Sequence, residues 1–293
     1  MNFNNVFPYN QIHEATIDGQ KMIWFPKTYV RGENLYDGQF KGKYAWQVSE
    51  YPRPGFHVHR AFIDSTGHER AGFWLGKYEA SNQNGLPASV PNVLPWVNIS
   101  TKDAISKGKL RNSRPGQSGW HIQNCFEYWY VSLIMMIELG TPDFCTAIGM
   151  GGTGSLQKCG TTNAVWRGLY EHWANTWEIV DGCRTDANKV IQLWDRTGEH
   201  YVSTGKVLAN AGIARGSDGV IYFSDAFLPV DDGSKSTFSG TLSDGVGIGA
   251  NSITLLGGSF YEKGSAGGFT FWAGGRNQDV VGGGHVGFRL AKY

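Results

Sequence analysis

The residues that could do chemistry gather in a few short runs. In Leu169–Gly182, Glu171, His172, Asn175, Glu178 and Asp181 stand close together. Two carboxylates beside a loop could exchange protons with a substrate. Asn175, Glu178 and Asp181 could instead give oxygen ligands to a structural calcium, helped by loop carbonyls. They could also pin a turn by hydrogen bonds. That last reading is preferred, because no nucleophile is paired with them. His57 and His59 are two apart on an inferred strand, which turns both rings to one side. Such a pair can bind a metal, and His68 is near in sequence. No third ligand stands out, so hydrogen-bonded structural histidines are the expectation.

The glycine loops carry less. Gly151-Gly152-Thr153-Gly154-Ser155 lacks the Gly-Lys-Ser/Thr ending of a phosphate loop and precedes no helical pattern. Gly282-Gly283-Gly284 stands in the same position. The cysteines are Cys125, Cys145, Cys159 and Cys183. None forms a Cys-x-x-Cys pair, and reduced core thiols are expected. No Gly-x-Ser-x-Gly elbow, His-Glu-x-x-His helix or EF-hand loop occurs. No enzyme activity is expected.

The stretch Leu255–Ala291 is the most unusual. Apolar strand cores alternate with Gly-rich loops carrying Tyr261, Glu262, Trp272, Arg276, Asn277 and Gln278. Aromatic, Arg and Asn side chains on loops give contact area at low entropy cost and adaptable hydrogen bonds. These six are the candidate receptor-binding residues. Phe269 and Phe271 share a strand face by the period of two, which assigns them to the core.

The elements that must hold these residues are legible in outline. Lys21–Phe25, Thr28–Val30 and Tyr44–Val48 read as strands of a hairpin or meander. Tyr51-Pro52-Arg53-Pro54-Gly55 is a turn-forming linker. Ala71–Ser81 reads as a strand. Ser100-Thr101-Lys102-Asp103 is a capping-box pattern for a helix to about Lys107, stopped by Gly108. A second helix should begin within Trp120–Gln123 and end at Gly140, with Pro142 beyond. It is apolar nearly all round, so it should be buried on most sides. After Ala147 only short strands and loops follow. Two helices packed on a loop-rich β region make an α+β chain.

Composition narrows the function. Lys and Arg total 26 against 25 Asp and Glu, a net charge of +1, which excludes the basic surplus of a phosphate-backbone binder. Charged residues are 17%, aromatic residues 14%, and 41 residues are Gly. That mixture argues against disorder and for tight turns and ordered loops. Met1–Asn10 has no signal-peptide pattern, so no secretory leader is expected. The longest apolar run, Tyr128–Ile137, is about half of the roughly 20 residues a membrane span needs. Neither nucleic-acid binding nor membrane insertion is expected.

A set of short motifs then falls in one order: Gly76-Lys77-Tyr78-Glu79-Ala80-Ser81-Asn82, Trp96-Val97-Asn98-Ile99-Ser100-Thr101-Lys102-Asp103-Ala104, Asn175-Thr176-Trp177-Glu178, Leu256-Gly257-Gly258-Ser259-Phe260 and Gly287-Phe288-Arg289-Leu290-Ala291. The ordered set resembles the C-type-lectin-like fold of the formylglycine-generating (sulfatase-modifying) enzymes and of the variable proteins of diversity-generating retroelements. Pro52–Ile63, followed by Gly76–Ser81, is similar to a pattern in phage tail and virion proteins of that fold. The enzymes of the family hold copper on a cysteine pair in the C-terminal part of the domain, and no Cys follows Cys183 here. The related sulfoxide synthases use a three-histidine iron site in an added helical domain, which this chain has no room for. Diversified relatives are Asn-rich before the final Gly-Phe-Arg, where Gly dominates here.

The resemblance therefore implies a C-type-lectin-like domain at 71–293, a linker and first strand at 51–70, and a β-rich attachment or oligomerisation segment at 1–50. It implies a virion protein, a tail-fibre or tail-tip adhesin that binds a host surface glycan or protein through its C-terminal loops. The implied partners are other virion proteins and the host cell-surface receptor, and the implied assembly is a homotrimer. No cofactor is expected beyond a structural calcium. The alternatives are a decoration or connector protein without a receptor and, more remotely, a formylglycine-generating-type enzyme.

Overall fold

A computed structural model describes residues 1–34, 36–39, 44–151, 154–195, 198, 200–208, 220–229, 246–247, 249–274, 277, 279 and 282–293. The fold is α+β, with few helices and several antiparallel sheets. Its first hairpin joins His13–Ile17 to Gln20–Pro26, with Ile17 opposite Gln20. The turn between them is Asp18-Gly19, both at positive φ (49° and 78°). This is the backbone that a two-residue turn needs to match the twist of its strands. The hairpin continues into a five-stranded sheet in the order His13–Ile17, Gln20–Pro26, Gly72–Gly76, Leu290–Lys292, Trp120–Ile122. The last strand of the chain thus lies one strand away from Gln20–Pro26.

That pairing joins strands from the expected 1–50 and 71–293 segments in one sheet. Residues 1–50 are not set apart by hydrogen bonding, because their first two strands belong to the sheet that also holds the chain's C-terminal strand. A small sheet crosses residue 50 as well: Tyr29–Asn34 pairs with both Tyr44–Ser49 and His57–Val58. The segment 51–70 also carries a short 3-10 turn, Arg60–Phe62, whose Phe62 is fully buried. Phe25, Phe62, Phe73 and Tyr130 form one aromatic cluster, with ring centroids 4.7–6.3 Å apart. Aromatic burial of this kind holds N-terminal strands and helix as one core.

The second large sheet is built on Trp177–Thr185. On one side lie Val190–Trp194 and then Tyr201–Val207; on the other lie Ile253–Leu256, Phe271–Trp272 and Val246–Gly247. Val286–Phe288 runs parallel to Trp177–Ile179. The strand expected at Ala71–Ser81 stops at Gly76, and Ser81–Gln83 folds back on Leu86–Ala88.

Helix α1 spans Thr101–Lys109, and Ser100 accepts the N–H of Asp103 as the capping pattern requires. It does not stop at Gly108. A Cβ there would lie 2.8 Å from Ile122 Cγ2 and 2.9 Å from Ile122 N, so this glycine serves close packing rather than termination. Helix α2 spans Cys125–Leu139, later than expected. Trp120–Ile122 pairs instead with Leu290–Lys292, and Asn124 starts the helix. Asn124 Oδ1 accepts the N–H groups of Phe126 and Glu127, while Glu127 Oε2 accepts that of Asn124. Cys125–Met136 is buried throughout, as its apolar circumference predicts, and Gly140 closes the helix in the left-handed region. A one-turn α3, Phe144–Ala147, follows Pro142. Among the described residues no helix is long and apolar enough to cross a membrane.

Candidate functional site

The carboxylates and the amide of the Leu169–Gly182 run meet protein partners. Glu178 is fully buried, and its Oε1 accepts the Arg289 guanidinium at 2.8 Å from Nε and 2.6 Å from Nη2. Asn175 Oδ1 accepts the N–H of Gln157, and its amide nitrogen donates to Glu79. Asp181 lies farther along the strand and accepts from Gly182 N and the Tyr201 hydroxyl. Among the described residues no cluster of His, Cys, Asp and Glu is arranged to hold a metal.

The pinning network is larger than the run predicts. Arg289 also donates to the carbonyls of Gly76, Tyr170 and Glu171. Glu79 accepts from the N–H and hydroxyl of Thr176, and Glu171 accepts from Gly160 N and the Thr162 hydroxyl. Burial raises the pKa values of Glu79, Glu171 and Glu178, and Arg289 opposes the shift in each. His172 stacks on Tyr128 with centroids 4.1 Å apart and shares a 3.0 Å hydrogen bond with Ser132 Oγ. Burial, aided by the Arg289 charge, drives its pKa well down. The network ties the first sheet, the Tyr170–Asn175 loop and the second sheet into one rigid support.

His57 and His59 do not share a face. The strand ends at Val58, and His59 is buried as the cap of the Arg60–Phe62 turn, accepting the N–H of Ala61. His57 is exposed and meets Asp225 at 2.7 Å. His68 bonds to Thr66. Among the described residues the cysteines form no disulfide, and the Cys145 thiol donates to the Ala266 carbonyl. Burial raises Cys125 and Cys159, and pushes Cys183 up to about 12.

Of the C-terminal candidates, Arg276 and Gln278 lie outside the described residues. Tyr261 is 62% exposed and Trp272 is 39% exposed. Trp272, Glu262 and His285 line a recess of about 70 Å³ floored by Trp177 and Leu255. Tyr261 stands edge-on to His285 at 5.3 Å, and Glu262 accepts from the N–H and hydroxyl of Ser259 to fix the turn. Phe269 and Phe271 are buried, but not by strand alternation: Phe269 lies in a turn before the strand Phe271–Trp272, and Thr270 between them is buried too.

Asn277 and Asp181 are brought together elsewhere. Both line a cavity of about 590 Å³ beside the strand Trp177–Thr185. That cavity adjoins one of about 260 Å³, which in turn adjoins one of about 930 Å³; Trp194 lies on the wall of all three. Nothing in the local sequence of Trp194 marks it, because its neighbours in this trough come from distant parts of the chain.

No protein-family model matches the chain, and no curated protein matches its sequence.

Proposed function

We propose that the protein is a phage virion structural protein with a C-type-lectin-like domain, acting as a tail-fibre or tail-tip adhesin. The ordered motifs support the family reading, as does the sheet shared by the N-terminal hairpin and the C-terminal strand. The observation that carries the adhesin reading is the pair of exposed aromatics beside a recess, Tyr261 in a turn and Trp272 in the short strand Phe271–Trp272. Exposed aromatics on a preorganised support are the usual anchors of recognition surfaces. The buried Arg289–glutamate network supplies that support from beneath. A shallow site binds weakly alone, so a homotrimer on the virion would gain strength from several copies. No chemistry is catalysed in this reading. Other virion proteins hold the adhesin, and the receptor is a host surface glycan or protein.

The test is binding of the purified protein to host cells beside a Tyr261→Ala/Trp272→Ala variant. Saturable binding that the variant loses, with folding unchanged, supports the adhesin. Absence of binding by a folded oligomer removes it. A second reading, a decoration or connector protein, is favoured by Val202 and Val207, which are exposed on the edge strand Tyr201–Val207. Apolar residues on an open sheet edge suit permanent contact with a neighbouring subunit.

A further inference from the structure

We propose that the trough centred on Trp194 is a second binding site, for a neutral oligosaccharide. It lies apart from the Tyr261–Trp272 recess and does not rest on the adhesin reading.

The three cavities share walls. The two cavities of about 930 and 260 Å³ share Arg60, Ile63, Trp194 and Asp195, and those of about 260 and 590 Å³ share Ile105, Asp181, Trp194 and Gly198. Its ends have the size of ordinary small-molecule pockets, so the whole can follow a chain of linked rings. Trp194 is half-buried at the junction, against Gly182, whose missing Cβ gives the indole its place: a Cβ would lie 3.0 Å from the ring.

Among the described residues, two polar groups on the walls have unused hydrogen-bonding capacity. Thr101, only 4% exposed, lines the cavity of about 590 Å³, and its buried hydroxyl has no hydrogen-bond partner among the described residues. A buried hydroxyl left unsatisfied is costly, and a ligand hydroxyl that reached it would offset that cost. Gly182 N and the Tyr201 hydroxyl both donate to Asp181 Oδ1, and Oδ2 takes no hydrogen bond among the described residues. Gln192, Asn251 and Asn277 add amides to the same cavity. Amides both donate and accept, as sugar hydroxyls do.

The donors are held in fixed directions. Arg60 stacks over Phe126 at 3.9 Å and donates to the Trp194 and Asp195 carbonyls. Arg70 stacks over Tyr293 at 3.3 Å and donates to the Ile63 carbonyl. Carboxylates outnumber cationic side chains along the walls, which disfavours a polyanion. An aromatic plate, directed guanidiniums, amides and acceptor carboxylates together suit a polyhydroxylated, uncharged chain.

The experiment is calorimetric titration of the full chain with neutral hexasaccharides of glucose, mannose, galactose and N-acetylglucosamine. A polyanionic hexasaccharide and a basic peptide run alongside. The expected result is saturable binding of at least one neutral sugar with a dissociation constant of about 1 mM or tighter. Trp194→Ala should weaken it at least about tenfold, the loss of one aromatic anchor. Asp181→Asn, which keeps the shape of the side chain, should weaken it by about threefold or more. The Tyr261→Ala/Trp272→Ala variant should bind the sugar unchanged, which separates this site from the adhesin surface. The proposal is overturned if no neutral sugar binds, or if only the polyanion or the peptide does. It is also overturned if binding survives both trough substitutions, or is lost in the Tyr261→Ala/Trp272→Ala variant. If Trp194→Ala fails to fold, Asp181→Asn decides.

Discussion

The guanidinium of Arg289 and the carboxylate of Glu178 meet within 2.6–2.8 Å, and both side chains are fully buried. Arg289 stands three residues from the strand Val286–Phe288's start and one from Leu290–Lys292, so it lies where the chain passes from the second sheet to the first. Glu178 is on the central strand of the second sheet. The pair closes the junction of the two sheets.

Arg289 is therefore expected to be the most sensitive charged residue of the core. Arg289→Met should cost about 3–5 kcal/mol, because it leaves buried carboxylates without their cation. Arg289→Lys should recover little, since a single ammonium cannot serve Glu178 and the carbonyls of Gly76, Tyr170 and Glu171 at once. The sign of the pH effect follows. Glu79, Glu171 and Glu178 have raised pKa values in the folded protein. Their stabilising contribution is full below the unfolded carboxylate range and is lost as pH rises through the folded values. The variant's deficit, measured by urea unfolding, should be larger at pH 8 than at pH 5. An equal deficit at both would mean that the glutamates do not depend on Arg289.

His59 gives the opposite slope. Burial, together with the His57 and Arg60 charges and against Asp225, lowers its pKa from 6.5 to about 4. Its contribution is full above the unfolded value and is lost as pH falls from 6.5 towards 4. His59→Asn keeps an acceptor for the N–H of Ala61 and removes the titration. Between pH 7.5 and 4 the native protein should lose roughly 3 kcal/mol more than this variant. Parallel pH profiles would refute the assignment.

Asn124→Ala should cost about 1–2 kcal/mol, as both partners of the α2 capping box are buried. Asn124→Ser, which restores an acceptor, should recover at least half of that. Chemical denaturation of the two variants measures both values.

Thiol labelling should separate the cysteines. Cys145 alone is not fully enclosed, while Cys125, Cys159 and Cys183 are buried and their thiols are held protonated at neutral pH. A disulfide reagent should modify one thiol quickly in the native protein and all four after unfolding. Rapid reaction of more than one would show that the core opens locally.

Much of this protein was determined by its sequence alone, and the local parts were the most legible. Ser100 and Asp103 specify the start of α1 because a capping hydrogen bond needs only residues three apart. The apolar circumference of Cys125–Met136 specifies a buried helix. Gly108 shows the limit. It reads as a stop signal, but the approach of Ile122 gives it a packing role that no local pattern contains. Trp120–Ile122 reads as helix, but becomes strand because Leu290–Lys292 lies beside it. Likewise, the spacing of Glu178 and Asp181 reads as one group that pins a loop or, alternatively, holds calcium with Asn175. Tertiary structure sends Glu178 to Arg289 and Asp181 to a trough wall, since strand direction and burial, rather than spacing, decide what a carboxylate meets. Trp194, Thr101 and Asn277 meet along that trough only because distant segments pack against one another, and pairing across such separations leaves no mark in any one stretch of chain.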